Sequence, residues 1–268
     1  MNQALECKEI QDIGLEIIHC IDRFAKENKI RYYMAGGTLL GAVRHQGYIP
    51  WDDDVDLMMP RPDYEQFIRS FHMGRFCVSS CETDSDYNTP FARVCDPNTS
   101  LTFSTKEKTI GVFVDIFPID GYPQNEIISH LHLYRIKIIR SMISAVIRQK
   151  YYENEKFIII KRLLHKVLKH DGNYYCNRLT KVALKYSFDS SAYVGVTTTL
   201  HHLFRERNSK DIFNETVFLP FEDMMLPAPV GYKTYLEKLY GNYMQLPPED
   251  KRKTEHLFRA YRKAREGE

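Results

Sequence analysis

Four carboxylates fall within five residues at Asp52-Asp53-Asp54-Val55-Asp56, and Leu57, Met58 and Met59 follow directly. Charges packed so closely repel one another, and their ionised forms are favoured only by cations or strong hydrogen bonds. The residues after the run are strand-like, and in a strand positions i and i+2 project to the same side. Asp52, Asp54 and Asp56 therefore share a face if the strand begins that early, with Asp54 and Asp56 nearest to it. Two carboxylates on one strand face, joined by a third from a neighbouring strand, suit Mg²⁺, a hard ion that shares oxygen ligands between carboxylate and phosphate. Asp115 is the expected third member. It is the one charge in the apolar segment Gly111-Val112-Phe113-Val114-Asp115-Ile116-Phe117, where burial is expensive unless it is paired or binds metal. An acidic run alone is more often a solvated or calcium-type loop, but this one lacks the alternating EF-hand pattern with its terminal Glu.

The segment before the aspartates adds a second element of chemistry. Arg31 to Ala35 reads as a strand that runs into Gly36-Gly37, expected as a sharp turn. Thr38 to Arg44 then reads as a short helix with its start near Thr38. Glycine lets backbone approach a ligand, and amides at a helix N-terminus attract anions. Gly36, Gly37 and Thr38 are thus a candidate phosphate cradle, with Arg44 placed to neutralise phosphate charge. A Gly-Gly-Thr alone is more often just a turn. Strand, Gly-Gly, short helix, D-x-D strand and third strand aspartate together point to two-metal phosphoryl or nucleotidyl transfer.

The rest of the chain sets the frame. It has 268 residues, 43% apolar and 27% charged, which excludes disorder and collagen-like structure as global readings. No uncharged apolar run of about 18 residues occurs, so no membrane span is expected. The N-terminal MNQALECKEI lacks a basic flank and an apolar core, which predicts a cytoplasmic protein. Leu5, Ile13, Ile17, Ile21 and Phe24 predict a helix over 4–28. A helix is expected over 60–71 and strands over 55–59, 75–80, 91–95 and 111–117, the last ended by Pro118 and Gly121. One or two long helices fit 124–186, then short strands near 193–197 and 215–219. Pro220, Pro227, Pro229 and Gly231 suggest an irregular stretch, followed by helices near 231–240 and 249–264. A break near Tyr122-Pro123 divides a catalytic core, 1–122, from a helical region, 123–268, that completes the site within one integrated unit. Residues 1–120 hold 19 acidic and 12 basic side chains, and 121–268 hold 16 and 25. An acidic cluster beside a basic region can hold divalent metal and an anionic ligand together. The six cysteines include no CxxC pair; Cys77 and Cys81 are read as buried thiols rather than metal ligands.

The stretch GGTLLGAVRHQGYIPWDDDVDLMMPRPDYEQF resembles the signature of the LicD family, which also includes fukutin-type enzymes. The similarity continues at Val114-Asp115-Ile116-Phe117-Pro118-Ile119-Asp120 and again from Tyr235 to Pro248, with a less distinctive middle over about 125–210. The resemblance implies an α+β fold, a nucleotidyltransferase-like mixed sheet with a helical C-terminal half. It implies transfer of a phospho-alcohol from a CDP-activated donor to a glycan hydroxyl. CDP-choline comes first as donor, because bacterial members resemble phosphocholine transferases acting on teichoic acid, lipopolysaccharide or capsule. Ribitol or glycerol phosphate is the alternative cargo, and true nucleotidyl transfer a more distant one. A catalytically silent glycan- or membrane-binding protein is the alternative of another class, but it has no chemical reason to keep three repelling aspartates.

By that analogy Asp54, Asp56 and Asp115 hold Mg²⁺, with Mn²⁺ as a substitute, on the donor diphosphate. Asp115 is also the candidate to take the proton of the acceptor hydroxyl. Gly36, Gly37, Thr38 and Arg44 would contact donor phosphate. Asp52 would support the metal site, and Asp53 is expected in solvent. Trp51, Tyr48, Tyr64, Tyr240 and Tyr243 are candidates for a choline head group through cation–π attraction, although each singly is more often a packing residue. His45 and His256 could touch phosphate or donor, although a lone histidine is more often structural, and His201-His202 reads as structural. No zinc is implied, since no such cysteine set occurs. Between Arg135 and Lys169 the chain carries ten Lys/Arg against two Glu among Ile, Leu and Val. That segment reads first as a solvated helix face, and second as a dock for a lipid-linked glycan or the inner membrane leaflet, joined by 251–265. No motif supports nucleic-acid binding.

Overall fold

The computed structural model describes residues 3–102, 110–148, 158–199, 204–252 and 259–263. The hydrophobic segment that carries Asp115 forms the central strand of the main sheet. This strand, β7 (Phe113–Tyr122), is buried along its whole length. It lies parallel to β3 (Asp56–Pro60) on one side. On the other side it pairs antiparallel first with β5 (Ala92–Cys95) and then with β8 (Tyr193–Val196). The sheet is completed by β2 (Tyr33–Met34) beyond β3, β4 (Cys77–Ser79) beyond β5, and β9 (Asn208–Ser209) beyond β8. The strand runs through Pro118 and Gly121, where the sequence predicted its end. The Asp115 amide faces β3 and donates to the Val55 carbonyl, so alternation turns position 118 to the other side. There β5 pairing stops at Ile116 and β8 pairing begins at Ile119. Proline, which has no N–H to donate, sits at that changeover.

Helices cover this sheet where their apolar stripes permit. α1 (Cys7–Asn28) buries Ile10, Ile13, Ile17, Ile21 and Phe24; Glu6 and Glu9 form a reciprocal capping box at its start, three residues later than predicted from the apolar stripe. α2 (Gly36–His45) starts at Gly36 rather than near Thr38, with Ala35 as its cap residue. α3 (Arg61–Ser70) has Pro62 in its first turn and buries Tyr64, Phe67 and Ile68. The region expected as one or two long helices contains three: α4 (Glu126–Ile147), α5 (Ile158–Val167) and α6 (Gly172–Ala183). Asn125 and Asp171 cap α4 and α6 with side-chain hydrogen bonds, so a cap, not a breaker, opens α6. α4 and α6 enclose a second small core around Leu133, Ile136, Ile143, Tyr175 and Leu179.

Two further predictions are corrected after α6. The proline-rich stretch is a hairpin, β10 (Thr216–Phe221) with β11 (Met224–Pro229), turned at Glu222 with a φ of 53°. Each strand has one partner, so Pro220, Pro227 and Pro229 are tolerated at the free edges. α7 (Tyr232–Tyr240) follows as predicted. No helix spans 249–264 in the described residues. A 3-10 turn occupies Glu249–Lys251, and β12 (Arg259–Arg262) lies between β1 (Gln3–Ala4) and β6 (Thr99–Thr102); 253–258 and 264 lie outside the described residues. Pairing with strands far away in sequence overrides local helical spacing there. The architecture is α+β, with a curled mixed sheet and helices on its faces. Among the described residues no helix is long and apolar enough to cross a membrane.

Candidate active site

A cleft of about 890 Å³ opens where α2, the acidic loop, the β3–β7 strand pair, β8 and α7 meet. Asp56 opens β3 and is in register with Asp115 on β7, so both side chains leave the same face of the sheet. Asp52, Asp53 and Asp54 precede the strand. The spacing argument for a common strand face therefore does not reach them; a turn in which the Asp52 amide donates to the Ile49 carbonyl folds them together instead. Their carboxylate oxygens lie within 4.8 Å of one another. Asp53, expected in solvent, is half-buried with its neighbours.

Burial, then the charges of Asp54, Asp115 and Asp52, hold the Asp56 carboxyl well above the usual carboxylate range, and Arg93 opposes them. Arg93, on β5, donates from Nε to Asp115 Oδ1 at 2.7 Å and is itself buried. Sequence reasoning did not name Arg93, although the signal was the same as for Asp115: a single charge in an apolar strand. The donor set is wholly carboxylate oxygen, the type a hard divalent cation requires. The mutual repulsion around Asp56 is the electrostatic condition that such a cation relieves. The residues present fit Mg²⁺.

The two glycines permit this crowding. Gly36 has a φ of +45°, and a β-carbon there would stand 3.3 Å from Asp56 Oδ2 and 3.6 Å from the Tyr240 hydroxyl. A β-carbon at Gly37 would lie 3.1 Å from Asp52 Oδ2. Bare backbone at the α2 N-terminus thus faces the acidic cluster. Thr38 is buried, and its Oγ1 accepts the Asp56 amide at 2.8 Å, tying α2 to the start of β3. Arg44 lines the cleft and donates to His45 Nε2 at 2.9 Å and to the Tyr243 carbonyl at 3.1 Å. Burial and then the charge of Arg44 lower the pKa of His45, favouring its neutral form.

The aromatic candidates separate. Trp51, Tyr240 and Tyr243 line the cleft, with Tyr235, which sequence reasoning placed in a motif but gave no role. Trp51 meets His45 edge to face at 6.2 Å, and the Arg252 guanidinium stands 5.8 Å from its ring centre. Tyr48 lies in the core behind the cleft, donating to the Gln11 carbonyl at 3.0 Å and packing on Phe221. Tyr64 is fully buried beneath Arg61. Cys77 is exposed, whereas Cys81 is buried with Cys176 in the second core, so Cys77 and Cys81 do not share a site. His201, His202 and His256 lie outside the described residues.

Glu206 is the residue that sequence reasoning missed altogether. It lines the cleft, is 5% exposed, and takes the Tyr235 hydroxyl on Oε1 at 3.5 Å. Its Oε2 has no hydrogen-bond partner among the described residues. Burial pushes its pKa up to about 8, against the opposing pull of the Val196 amide, Tyr235 and Lys238. In the sequence it stands in the polar run Arg205-Glu206-Arg207-Asn208, which carries no sign of burial.

A curled mixed sheet with paired aspartates on neighbouring strands, facing a glycine-opened helix, defines a protein of the nucleotidyltransferase-like α+β class. The family model described as LicD/FKTN/FKRP, nucleotidyltransferase domain, matches residues 29–141, from β2 through most of α4. Over that segment the chain resembles the LicD family. It is 29% identical to the lipopolysaccharide cholinephosphotransferase LicD of Haemophilus influenzae over 264 residues, covering 97% of this chain and 99% of that one. An uncharacterized protein of Rickettsia prowazekii is 35% identical over 115 residues, 41% of this chain and 40% of that protein. The human ribitol 5-phosphate transferase FKRP is 64% identical over 28 residues, 10% of this chain and 6% of that protein.

Proposed function

We propose that the chain is a phosphotransferase acting on a glycan, and that it moves phosphocholine from CDP-choline to a hydroxyl of a bacterial cell-surface glycan precursor. The observation that carries this reading is Asp56, which lines the cleft in register with Asp115 on the neighbouring strand and is crowded by Asp52 and Asp54. The likeness to a cholinephosphotransferase over nearly the full length of both chains supports the choice of cargo. Asp54, Asp56 and Asp115 would hold Mg²⁺ or Mn²⁺, with Asp52 beside them. That ion would offset the diphosphate charge and stabilise the departing CMP.

The chain's own residues account for the remainder. The amides of Gly36 and Gly37 and the guanidinium of Arg44 would bind donor phosphate oxygens. Trp51, Tyr240 and Tyr243 would offer ring faces to the choline ammonium. The acceptor oxygen bonds to the head-group phosphorus, and the bond from that phosphorus to the bridging oxygen breaks. CMP leaves with the electron pair, and Asp115, held by Arg93, takes the hydroxyl proton. A cytoplasmic reaction, at or beside the inner face of the membrane, belongs to the same proposal.

The test is CMP release from CDP-choline with Mg²⁺ and a glycan acceptor, comparing wild type with Asp56→Asn. Acceptor-dependent release that falls by about 100-fold or more in the variant is expected. Release with CDP-ribitol or CDP-glycerol but not CDP-choline would keep the site and change the cargo. No release with any CDP donor, given a proven acceptor, would refute the reading.

A further inference from the structure

Helix α4 is apolar on two sides. Leu133, Ile136, Ile139 and Ile143 are buried, in the small core shared with α6. Ile127, Leu131, Tyr134 and Ile138 recur at helical spacing on the opposite side and are 72%, 60%, 53% and 55% exposed. Phe204 extends that stripe: its ring lies 5.3 Å from Tyr134 and stacks on His130, with the Lys137 ammonium 5.7 Å from its centre. Helix α5, bound to α4 through a 2.8 Å hydrogen bond between His165 Nδ1 and the Ala145 carbonyl, carries a second exposed stripe of Ile159, Leu163 and Val167. Large apolar side chains exposed at helical spacing on two packed helices mark an interaction face, not the scattered single residues of ordinary surface.

Charge identifies the occupant. From residue 127 to 148 and from 158 to 170 there is no aspartate or glutamate, while Arg135, Lys137, Arg140, Arg148, Arg162, Lys166 and Lys169 are all basic. A two-fold contact with a second copy would set this cationic rim against itself. Apolar side chains framed by cations, on helices too short or too polar to cross a bilayer, match a surface of anionic lipid.

We infer that the exposed stripe of α4, with its cationic flank and the adjoining face of α5, docks the protein on an anionic membrane surface. The apolar side chains enter the headgroup–acyl boundary and the Lys/Arg side chains meet lipid phosphates. Arg140, on the inner side of the same helix, lines the cleft, so the docking helix stands beside the site. Resting on the proposed function, this suits an acceptor glycan carried on a lipid. The docking itself does not depend on that reaction.

Vesicle co-sedimentation tests it. Wild type should bind vesicles of phosphatidylglycerol and phosphatidylcholine at least tenfold more tightly than pure phosphatidylcholine, and less tightly at high salt. Leu131→Glu with Ile138→Glu should lower binding at least tenfold while leaving the melting temperature and CMP release with a soluble acceptor unchanged. Lys137→Glu, which removes no apolar group, should weaken binding and flatten its salt dependence. Wild type that stays in the supernatant with anionic vesicles overturns the inference, as does undiminished binding by both variants. A wild-type dimer in solution that the Leu131/Ile138 variant dissociates, without vesicle binding, would reassign the face to self-association. Loss of CMP release with every donor would refute the reaction and leave the docking result standing.

Discussion

Asp56 has its carboxyl pushed above the ordinary range by burial and by three neighbouring aspartates, a cost borne in the folded state. Replacing it with asparagine should therefore raise the melting temperature in EDTA by about 2–4 °C, the scale of 1 kcal/mol in a chain of this size. MgCl₂ is expected to raise the melting temperature of wild type further and to leave that of the variant unchanged, read by calorimetry. Glu206 makes a separate prediction. Its folded pKa, about 8, lies above the unfolded value, so the folded state holds a proton that the unfolded chain has released. Stability should fall as pH rises from the unfolded carboxyl range towards 8 and then level off. In EDTA, the unfolding free energy of Glu206→Gln from urea titrations should match wild type near pH 5 and exceed it increasingly up to pH 8, by on the order of a few kcal/mol; parallel curves would refute the assignment. At this scale Asp54, Asp56 and Asp115 were legible because charge in or beside an apolar strand needs an explanation. Glu206 was not, because a polar run on a loop looks the same whether water or protein covers it.

Among elements, α2 is the one whose geometry the site depends on most. A β-carbon at Gly41 would collide with the Gly47 carbonyl and lie 3.4 Å from the Ile49 amide, on the loop that delivers Trp51 and the aspartates. Gly41→Ala should cost about 1–3 kcal/mol in urea denaturation and lower kcat, since backbone must move to admit the methyl group. A second prediction concerns the junction of α3, β7 and β8. Arg61 binds both oxygens of Asp120 at 2.7 and 2.8 Å, Thr197 adds a hydroxyl at 2.9 Å, and all three side chains are buried. Arg61→Leu would strand the Asp120 carboxylate and should cost about 3–5 kcal/mol by chemical denaturation. Helices with long apolar stripes, α1 and α3, and the hydrophobic run of β7 were readable from periodicity and composition. Strand β10 was readable near 215–219, but its partner β11 and strand β12 were not: prolines gave β11 the look of an irregular stretch, and the basic residues of β12 give no sign of partner strands distant in the chain.

Across the whole molecule, the two parts of the chain share one sheet and one cleft. Tyr122 on β7 pairs with Tyr193 on β8, while Tyr235, Tyr240 and Glu206 face aspartates contributed by the first 122 residues. A fragment ending at Tyr122 should therefore lack a cooperative melting transition and show no Mg²⁺-dependent stabilisation, because half of β7 would lose its β8 partner and the cleft its far wall. Cooperative melting of that fragment would show that the first part folds alone. By itself the sequence determined the class of fold and the stretch that carries the clustered aspartates and the glycines before them, since local charge, hydrophobic runs and turn chemistry are written in short stretches. Only the tertiary structure decided which aspartates share a strand register, that Arg93 holds Asp115, that Glu206 is buried at the cleft, and that α4 keeps a bare apolar side. Each of those is set by which distant segments come into contact, and burial and pairing of that kind have no local signature.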